Sequence, residues 1–193
     1  MSQDEIKNKS DYEIMTLVQT DVNAFTEIVS RYKDKLKRYI HRLTNVSHEE
    51  QEDLLQEVFI KVYKNSYNID PSLSFSAWMY RITYNHVISS HRKKCARPSV
   101  ISWDDKETLL NKLKADEDVH LAIEKKEQQA MIYNAIDKLN IKYKDIILLK
   151  YIEEKNYEEI ADILKIPPGT VATRLHRAKK SLKKYIEKHE HHI

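Results

Sequence analysis

Residues Tyr157–Lys184 have the sequence YEEIADILKIPPGTVATRLHRAKKSLKK, and this stretch decides the fold of the C-terminal part of the chain. Two short amphipathic segments flank a turn that contains proline, and the second segment ends in a run of cations. Asn156 is a helix-capping residue with Glu159 three positions later, which predicts where the first helix begins. Pro168 suits the first position of a second helix, because a missing N–H costs nothing there. The pattern predicts a helix-turn-helix.

The second of these helices divides into two faces on a wheel of about 100° per residue. Its apolar face comprises Val171, Leu175, Ala178 and Leu182. Its polar face comprises Thr173, His176, Arg177 and Lys180, with Arg174 and Lys179 on the flanks. In the first helix the predicted buried stripe is Tyr157, Ile160, Ala161 and Leu164. A DNA-recognition helix needs an apolar back and a donor-rich front, with cations beside it for phosphates. The alternative is a solvated, charged helix. The correct spacing of both helices and the turn favours DNA binding.

Composition limits the fold class and the kinds of site. The 193 residues include one glycine and four prolines. β-Hairpins and phosphate-cradling loops need glycine, so we expect an all-α protein without Gly-rich nucleotide-binding motifs. The single cysteine, Cys95, excludes an internal disulfide and suits a reducing cytoplasm. No apolar run approaches about 18 residues, and the polar N-terminus does not resemble a signal peptide.

Two helical blocks flank a middle segment of different character. In the first block, helical spacing and capping residues predict helices at Ala24–Thr44, from a Ser47–Glu50 capping box to about Asn65, and at Phe75–Lys94. In the second block we expect a helix ending at Leu139, another at Tyr143–Glu153, and then the helix-turn-helix. These blocks predict two small domains, at residues 10–95 and 127–188.

The middle segment, residues 96–126, is predicted to be a flexible acidic linker. Arg97-Pro98-Ser99 interrupts the helical pattern, and the hydrophobic periodicity weakens after it. Residues 104–118 contain six acids against three lysines. The formal net charge of the whole chain, +3, is too small to imply a nucleic-acid partner by itself.

Two helices of the first block have surfaces that suggest partners. In the helix Asp53–Lys64, Ile60 lies among polar residues on the face opposite the apolar stripe. It is either a docking position or an ordinary exposed apolar residue. The helix Phe75–Lys94 is apolar or aromatic on two sides, with a stripe of Arg81, Asn85, Ile88 and Arg92 between them. It fits either a nucleic-acid edge, where aromatics and cations meet unstacked bases, or a central core helix.

Three motifs in order resemble the extracytoplasmic-function sigma factors of bacterial RNA polymerase. DLLQEVFIKVY at Asp53–Tyr63 resembles the segment that docks on core polymerase. FSAWMYRITYNHVISSHRKK at Phe75–Lys94 resembles the segment that recognises and opens the −10 element. The helix-turn-helix at residues 157–176 resembles the −35 reader. The resemblance covers about Asp11–Lys94 and Glu127–Lys188 and is poor across the linker.

The resemblance implies a role for individual positions. The positions that would lie against the clamp helices of core RNA polymerase are Asp53, Gln56, Glu57 and Ile60. Those at the −10 element, where the loop Ser66–Ser74 helps to hold a flipped base, would be Asn68, Arg81, Asn85, Arg92 and Lys93. Those in the −35 major groove would be Thr173, Arg174, His176, Arg177 and Lys180. An anti-sigma factor, membrane-bound for many family members, and a cytoplasmic location at the nucleoid are implied by the same resemblance.

Three positions depart from the family pattern. Ser89 replaces the usual acid four residues after the Asn85 position, and Ala172 replaces a common Lys or Arg. Lys165 stands in the turn where glycine is usual. A lysine there must adopt a positive φ, at a cost of roughly 1 kcal/mol.

Two other classes of function are weighed against a sigma factor. A stand-alone helix-turn-helix repressor or activator would use the first block to dimerise or to sense a ligand. A metal hydrolase is suggested by the terminal histidines His189, His191 and His192, but a solvated tail explains them better. No HExxH motif, nucleophile elbow or pair of cysteines occurs. We therefore expect no catalytic site, cofactor, metal or small-molecule substrate.

Overall fold

The computed structural model describes residues 3–70, 74–95 and 131–190, and these are helices joined by short turns. The N-terminal group contains α1 (Gln3–Lys7), α2 (Asp11–Val18), α3 (Phe25–Thr44), α4 (His48–Lys64) and α5 (Phe75–Cys95). The C-terminal group contains α6 (131–137), α7 (Ile141–Ile147), α8 (Tyr157–Leu164) and α9 (Pro168–Glu190). The predicted all-α fold is confirmed, and no strand occurs in these ranges. None of their helices has the length and hydrophobicity to cross a bilayer.

Several sequence predictions lie outside the described residues. They are the acidic linker at 96–126, the side chains of Cys95 and His189, and the terminal histidines His191 and His192. The side chain of Asn68 and residues 71–73 of the predicted base-capturing loop also lie outside them.

The N-terminal group is built around α3. Its apolar residues recur at helical spacing, and Ile28, Leu36 and Ile40 are fully buried against α2, α4 and α5. The helix ends at Thr44 because Asn45 adopts a left-handed conformation, with φ 52°, and its N–H bonds back to the carbonyl of His41. The bounds predicted from the sequence agree with α3 to within one residue.

The predicted capping box at the start of α4 is only half formed. Oγ of Ser47 accepts a hydrogen bond from the N–H of Glu50 at 3.3 Å, as expected for an N-cap. The carboxylate of Glu50, however, pairs with Nζ of Lys94 at the end of α5 instead of returning to the cap. Here a tertiary ion pair displaces the local hydrogen bond, and it ties the start of α4 to the end of α5.

Helix α7 differs most from its prediction of Tyr143–Glu153. It begins earlier, because Oδ1 of Asn140 accepts from the N–H of Lys142 and caps the helix there. It then widens into a π-helical turn at Leu148–Ile152. The N–H of Glu153 bonds to the carbonyl of Leu148, five residues back.

The helix-turn-helix has the predicted local structure. Asn156 and Glu159 form a complete capping box, and α9 begins at Pro168. Lys165 has φ 52°, so a non-glycine residue does occupy the left-handed position of the turn. The prediction for Tyr157 was wrong, since its side chain is 38% exposed beneath Nζ of Lys150. Ile163, which the predicted stripe did not include, is fully buried.

The two groups are packed together rather than separated. Buried apolar residues form one continuous cluster that runs from α2 of the N-terminal group to α9 of the C-terminal group. Helix α8 lies against α5, and α7 lies against the C-terminal part of α3. The sequence predicted two helical groups but gave no indication of this contact between them.

Replacing Lys165 with Gly should stabilise the protein by about 0.5–1 kcal/mol, measured by chemical denaturation. Glycine adopts a positive φ without the Cβ clash, although it also gains entropy in the unfolded chain. The ion pair of Lys165 with Asp162 is on the surface, so its loss should have a small effect. Lys165→Ala is the matched control, because it removes the side chain and keeps the strained backbone. A Gly variant no more stable than the Ala variant would contradict strain at this residue.

Candidate nucleic-acid interface

The polar face of α9 is exposed, as the helical wheel predicted. Val171, Leu175 and Ala178 are buried against the rest of the C-terminal group. The residues that face solvent on the opposite side are Thr173, His176, Arg177 and Lys180. The hydroxyl of Thr173 donates to the carbonyl of Gly169 at 3.1 Å, which holds its side chain in one orientation. This face therefore presents donors and cations on a rigid element, which is what a major groove requires.

Arg174 occupies a different environment from its predicted companions. It is half-buried, and its positive charge acts on Asp145 of α7 and Tyr84 of α5. The side chain thus lies on the flank of α9 that faces the N-terminal group. The structure does not bring it together with Thr173, His176 and Arg177 on the free face.

A second exposed surface lies on α4. Leu54, Leu55 and Val58 point into the core, whereas the four positions predicted to meet core polymerase are all exposed: Asp53, Gln56, Glu57 and Ile60. Ile60 is 53% exposed, a large fraction for an isoleucine on an ordered helix. Oε2 of Glu57 lies 2.8 Å from Nε2 of His86, so this surface of α4 contacts α5.

Helix α5 combines both predicted alternatives, a core helix and a polar edge. Met79, Tyr80 and Val87 are buried, which makes α5 a central helix of the core. Three of its polar positions are exposed: Asn85, Arg92 and Lys93. Ile88, which the sequence placed within the exposed stripe, is buried and divides that stripe.

Arg81 is not free for a ligand in this arrangement. Its Nη1 lies 2.7 Å and 2.9 Å from the two carboxylate oxygens of Asp162 on α8. Burial of the pair is substantial, with the two side chains 20% and 23% exposed. A carboxylate of the same chain therefore already accepts the hydrogen bonds of Nη1.

Other polar contacts join the same side of α5 to the C-terminal group. The hydroxyl of Ser74 donates to Glu159 at 2.7 Å, and Nζ of Lys155 donates to Ser76 at 2.7 Å. Tyr80 and Tyr84 donate their hydroxyls to carboxylates, and these acceptors are Glu153 and Asp145. Acidic side chains of the C-terminal group therefore line one side of α5, and of the positions predicted to meet DNA they pair with Arg81. Sequence reasoning missed these acids, because no local pattern pairs Asp162 with a residue 81 positions earlier.

The predicted base-capturing loop is described in part. Ser66 is buried and Tyr67 is 71% exposed, in a 3-10 turn that follows α4. The hydroxyl of Tyr12 donates to the carbonyl of Asp70 at 3.1 Å, which fixes the loop to α2. Tyr67 was not among the predicted site residues, although an exposed aromatic beside a nucleic-acid surface is a usual signal.

Comparison with known proteins assigns both groups to one family. The family description "Sigma-70 region 2" matches residues 28–96, and "Sigma-70, region 4" matches residues 129–182. The chain is 38% identical over 175 residues to the ECF RNA polymerase sigma factor SigW of Bacillus subtilis (strain 168), covering 86% of this chain and 90% of that protein. The chain belongs to the ECF RNA polymerase sigma factors. It is also 29% identical to the RNA polymerase sigma-H factor of Pseudomonas aeruginosa, over 94% of this chain and 96% of that one.

Two solved structures share the fold of this sigma factor. CnrH in complex with the cytosolic domain of CnrY has a TM-score of 0.66 and 18% identity, over 93% of this chain and 99% of that chain. The sigma factor RpoE of Bartonella quintana, in complex with the anti-sigma factor NepR, has a TM-score of 0.61 and 19% identity, over 84% and 96%. Since the family matches cover both helical groups, a sigma factor that directs promoter recognition is favoured over a stand-alone repressor or activator.

Asp145 gives the contact between the two groups of this sigma factor a dependence on pH. Its side chain is fully buried, and burial raises its pKa to about 6, although the Tyr84 hydroxyl and the Arg174 charge favour the ionised form. An acid with a raised pKa holds its proton more strongly in the folded protein than in the unfolded chain. The contribution of Asp145 to the free energy of unfolding therefore increases as the pH falls through 6, because the carboxyl becomes neutral.

Asp145→Asn should be more stable than wild type near pH 7.5, by up to about 3 kcal/mol, because it removes a buried charge and retains an acceptor for Tyr84. The difference should shrink as the pH falls through 6, where the wild-type carboxyl becomes neutral. Chemical denaturation at a series of pH values measures it. Asp34→Asn, at an exposed position of α3, is the control. A difference between variant and wild type that stayed constant with pH would argue against a buried charge at Asp145.

Proposed function

We propose that this sigma factor docks on core RNA polymerase through α4 and recognises promoters through two separate DNA surfaces. The polar face of α9 recognises the −35 element as duplex, and α5 with the loop before it holds the −10 element as a single strand. The observation that carries the proposal is the exposure of the predicted polar faces of both α4 and α9 on helices whose opposite faces are buried. The protein itself performs no bond chemistry, which belongs to the polymerase.

The polymerase-docking surface consists of Asp53, Gln56, Glu57 and Ile60. Two carboxylates beside one exposed isoleucine provide charge for orientation and an apolar contact for affinity. The contact between Glu57 and His86 places the docking helix directly against the helix proposed to hold the −10 strand. Binding to polymerase and positioning of that strand are thereby linked through adjacent side chains.

The −35 surface consists of Thr173, His176, Arg177 and Lys180, which share the free face of α9. Arginine and histidine side chains donate to base edges in the major groove, and lysine pairs with phosphates. Arg174 joins this surface only if it leaves the neighbourhood of Asp145.

The −10 surface consists of Asn85, Arg92 and Lys93, which are exposed, together with Arg81 and Asn68. Asn85 holds a flipped base and the cations follow the phosphates, and these contacts offset an opening cost of a few kcal/mol per unstacked step. Arg81 becomes available only when its pair with Asp162 breaks. We therefore propose that core polymerase separates the N-terminal domain, residues 10–95, from the C-terminal domain, residues 127–188. The acidic linker, residues 96–126, then passes through a channel of the polymerase otherwise used by nucleic acid.

An anti-sigma factor is the proposed regulator. CnrH and RpoE, which share the fold, are each seen in complex with another protein, and for RpoE that protein is named an anti-sigma factor. A partner that stabilised the contact between α5 and α8 would keep Arg81 covered. Since polymerase and promoters are cytoplasmic in bacteria, we also propose that the protein acts there, at the nucleoid or held at the membrane by its regulator.

Reversing charge at both Asp53 and Glu57, to Lys, should lower affinity for core polymerase by more than about tenfold, because like charges replace complementary ones. Fluorescence anisotropy of labelled sigma factor titrated with core polymerase measures this affinity. Asp34→Lys together with Glu158→Lys makes the same change of charge at exposed positions of α3 and α8, and should bind as wild type does. Equal affinities for both double variants and wild type would rule out docking through α4.

Asp162→Asn should increase the affinity of the free protein for a single-stranded −10 oligonucleotide by up to about fivefold. A charge-assisted, partly buried pair is worth about 1 kcal/mol, and its loss releases Arg81. Glu158→Gln, at an exposed position of the same helix, is the control. Arg81→Ala combined with Asp162→Asn should cancel the increase. If Asp162→Asn bound the oligonucleotide as wild type does, the pair would not limit access to α5.

A further inference from the structure

Helix α9 continues eight residues past the end of the sigma-70 region 4 match. The region 4 match ends at residue 182, whereas the helix continues to Glu190. A helix of 23 residues is about 34 Å long, and a DNA major groove is about 12 Å wide. With Thr173 and Arg177 at base edges, the C-terminal half of α9 lies outside the groove.

The polar face of α9 continues through its C-terminal half at the same helical spacing. Lys184 and Lys188 are exposed and follow Thr173, Arg177 and Lys180 at intervals of three or four residues. These five positions lie within an arc of about 80° on the helix. On the opposite side, Leu182, Tyr185 and Ile186 are partly buried, so the lysines lie on the side of the helix that faces solvent.

The ammonium groups of this row are available for a ligand. Within residues 3–70, 74–95 and 131–190, no acidic side chain forms an ion pair with Lys180, Lys184 or Lys188. Lys183, which lies beside the row, pairs instead with Glu187 at 3.5 Å. Helix rise places Lys184 about 16 Å and Lys188 about 22 Å along the axis from Thr173. At those distances, beyond the groove, the groups of DNA within reach are backbone phosphates.

We infer that Lys184 and Lys188 bind the phosphates of duplex DNA flanking the −35 element, and so add affinity that does not depend on sequence. The inference rests on the proposed docking of α9 in the −35 groove. Lysines near a helix C-terminus also favour the helix by interacting with its dipole. That effect changes stability and leaves the salt dependence of DNA binding unchanged, so the two roles are separable.

The test measures promoter binding by the full-length protein with core polymerase over a range of salt concentrations. The double variant Lys184→Ala, Lys188→Ala should reduce the slope of log K against log salt by about 1.8, since each phosphate contact contributes about 0.9. Its preference for an intact over a scrambled −35 element should equal that of wild type. Lys184→Arg with Lys188→Arg keeps both charges and should restore the slope. Lys138→Ala with Lys142→Ala, at exposed positions outside α9, should leave it unchanged.

The position of the contact is tested with shortened DNA. Duplexes truncated at either end of the −35 element remove the flanking phosphates, and on one of the two the slopes of wild type and of the double Ala variant should become equal. A double Ala variant whose slope on full-length promoter matched wild type would overturn the inference. So would a slope difference that survived both truncations, because the phosphates would then lie elsewhere.

A separate variant distinguishes this inference from the proposed function. His176→Ala with Arg177→Ala should abolish the preference for the intact −35 element. If that variant kept the preference while the lysine variant lost slope, the proposed base contacts would be overturned and the phosphate contacts supported. If the base contacts held and the lysine slope did not change, only the phosphate contacts would fail.

Discussion

Helix α5 is packed on two sides, against α3 and α4 within the N-terminal group and against α8 of the C-terminal group. On the first side, Tyr80 meets Tyr39 of α3 edge to face at 5.2 Å, and Phe75 meets Tyr32 of α3 edge to face at 5.7 Å. On the second side, Arg81 is held by Asp162. Because one helix supplies both contacts, the core of the N-terminal group and the arrangement of the two groups depend on the same element.

The two proposed DNA surfaces differ in their exposure in this arrangement. The carboxylate of Asp162 pairs with Arg81 of the proposed −10 surface, whereas the polar face of α9 is exposed. Carboxylates and phosphates are both anions that accept hydrogen bonds from guanidinium groups, so one can take the place of the other. The −35 surface is therefore accessible in the closed arrangement, and the −10 surface is partly covered.

The contact between the two groups has a continuous apolar cluster, but some of its buried polar atoms lack hydrogen bonds. Apolar side chains from both groups form one cluster, which favours closure. The buried Oδ1 of Asp145 and hydroxyl of Tyr39 have no hydrogen-bond partner among the described residues. A buried polar atom without a partner opposes closure, and so does the ionised carboxylate of Asp145 at neutral pH. Apolar burial and unsatisfied polar atoms therefore contribute to the stability of this contact with opposite signs.

The sequence by itself determined the local structure of this protein. Scarce glycine and sustained helical spacing predicted an all-α chain, and Asn156, Glu159 and Pro168 fixed both helices of the helix-turn-helix through backbone hydrogen bonding and proline geometry. The exposed faces of α4 and α9 followed from periodicity, because a helix with one apolar side must bury that side. Local signals failed where tertiary contacts competed with them, as when Lys94 drew Glu50 away from its cap. Only the tertiary structure decided that Asp162 holds Arg81 and that Arg174 faces Asp145. Pairing between residues far apart in sequence depends on how whole helices pack, and no local pattern of residues records it.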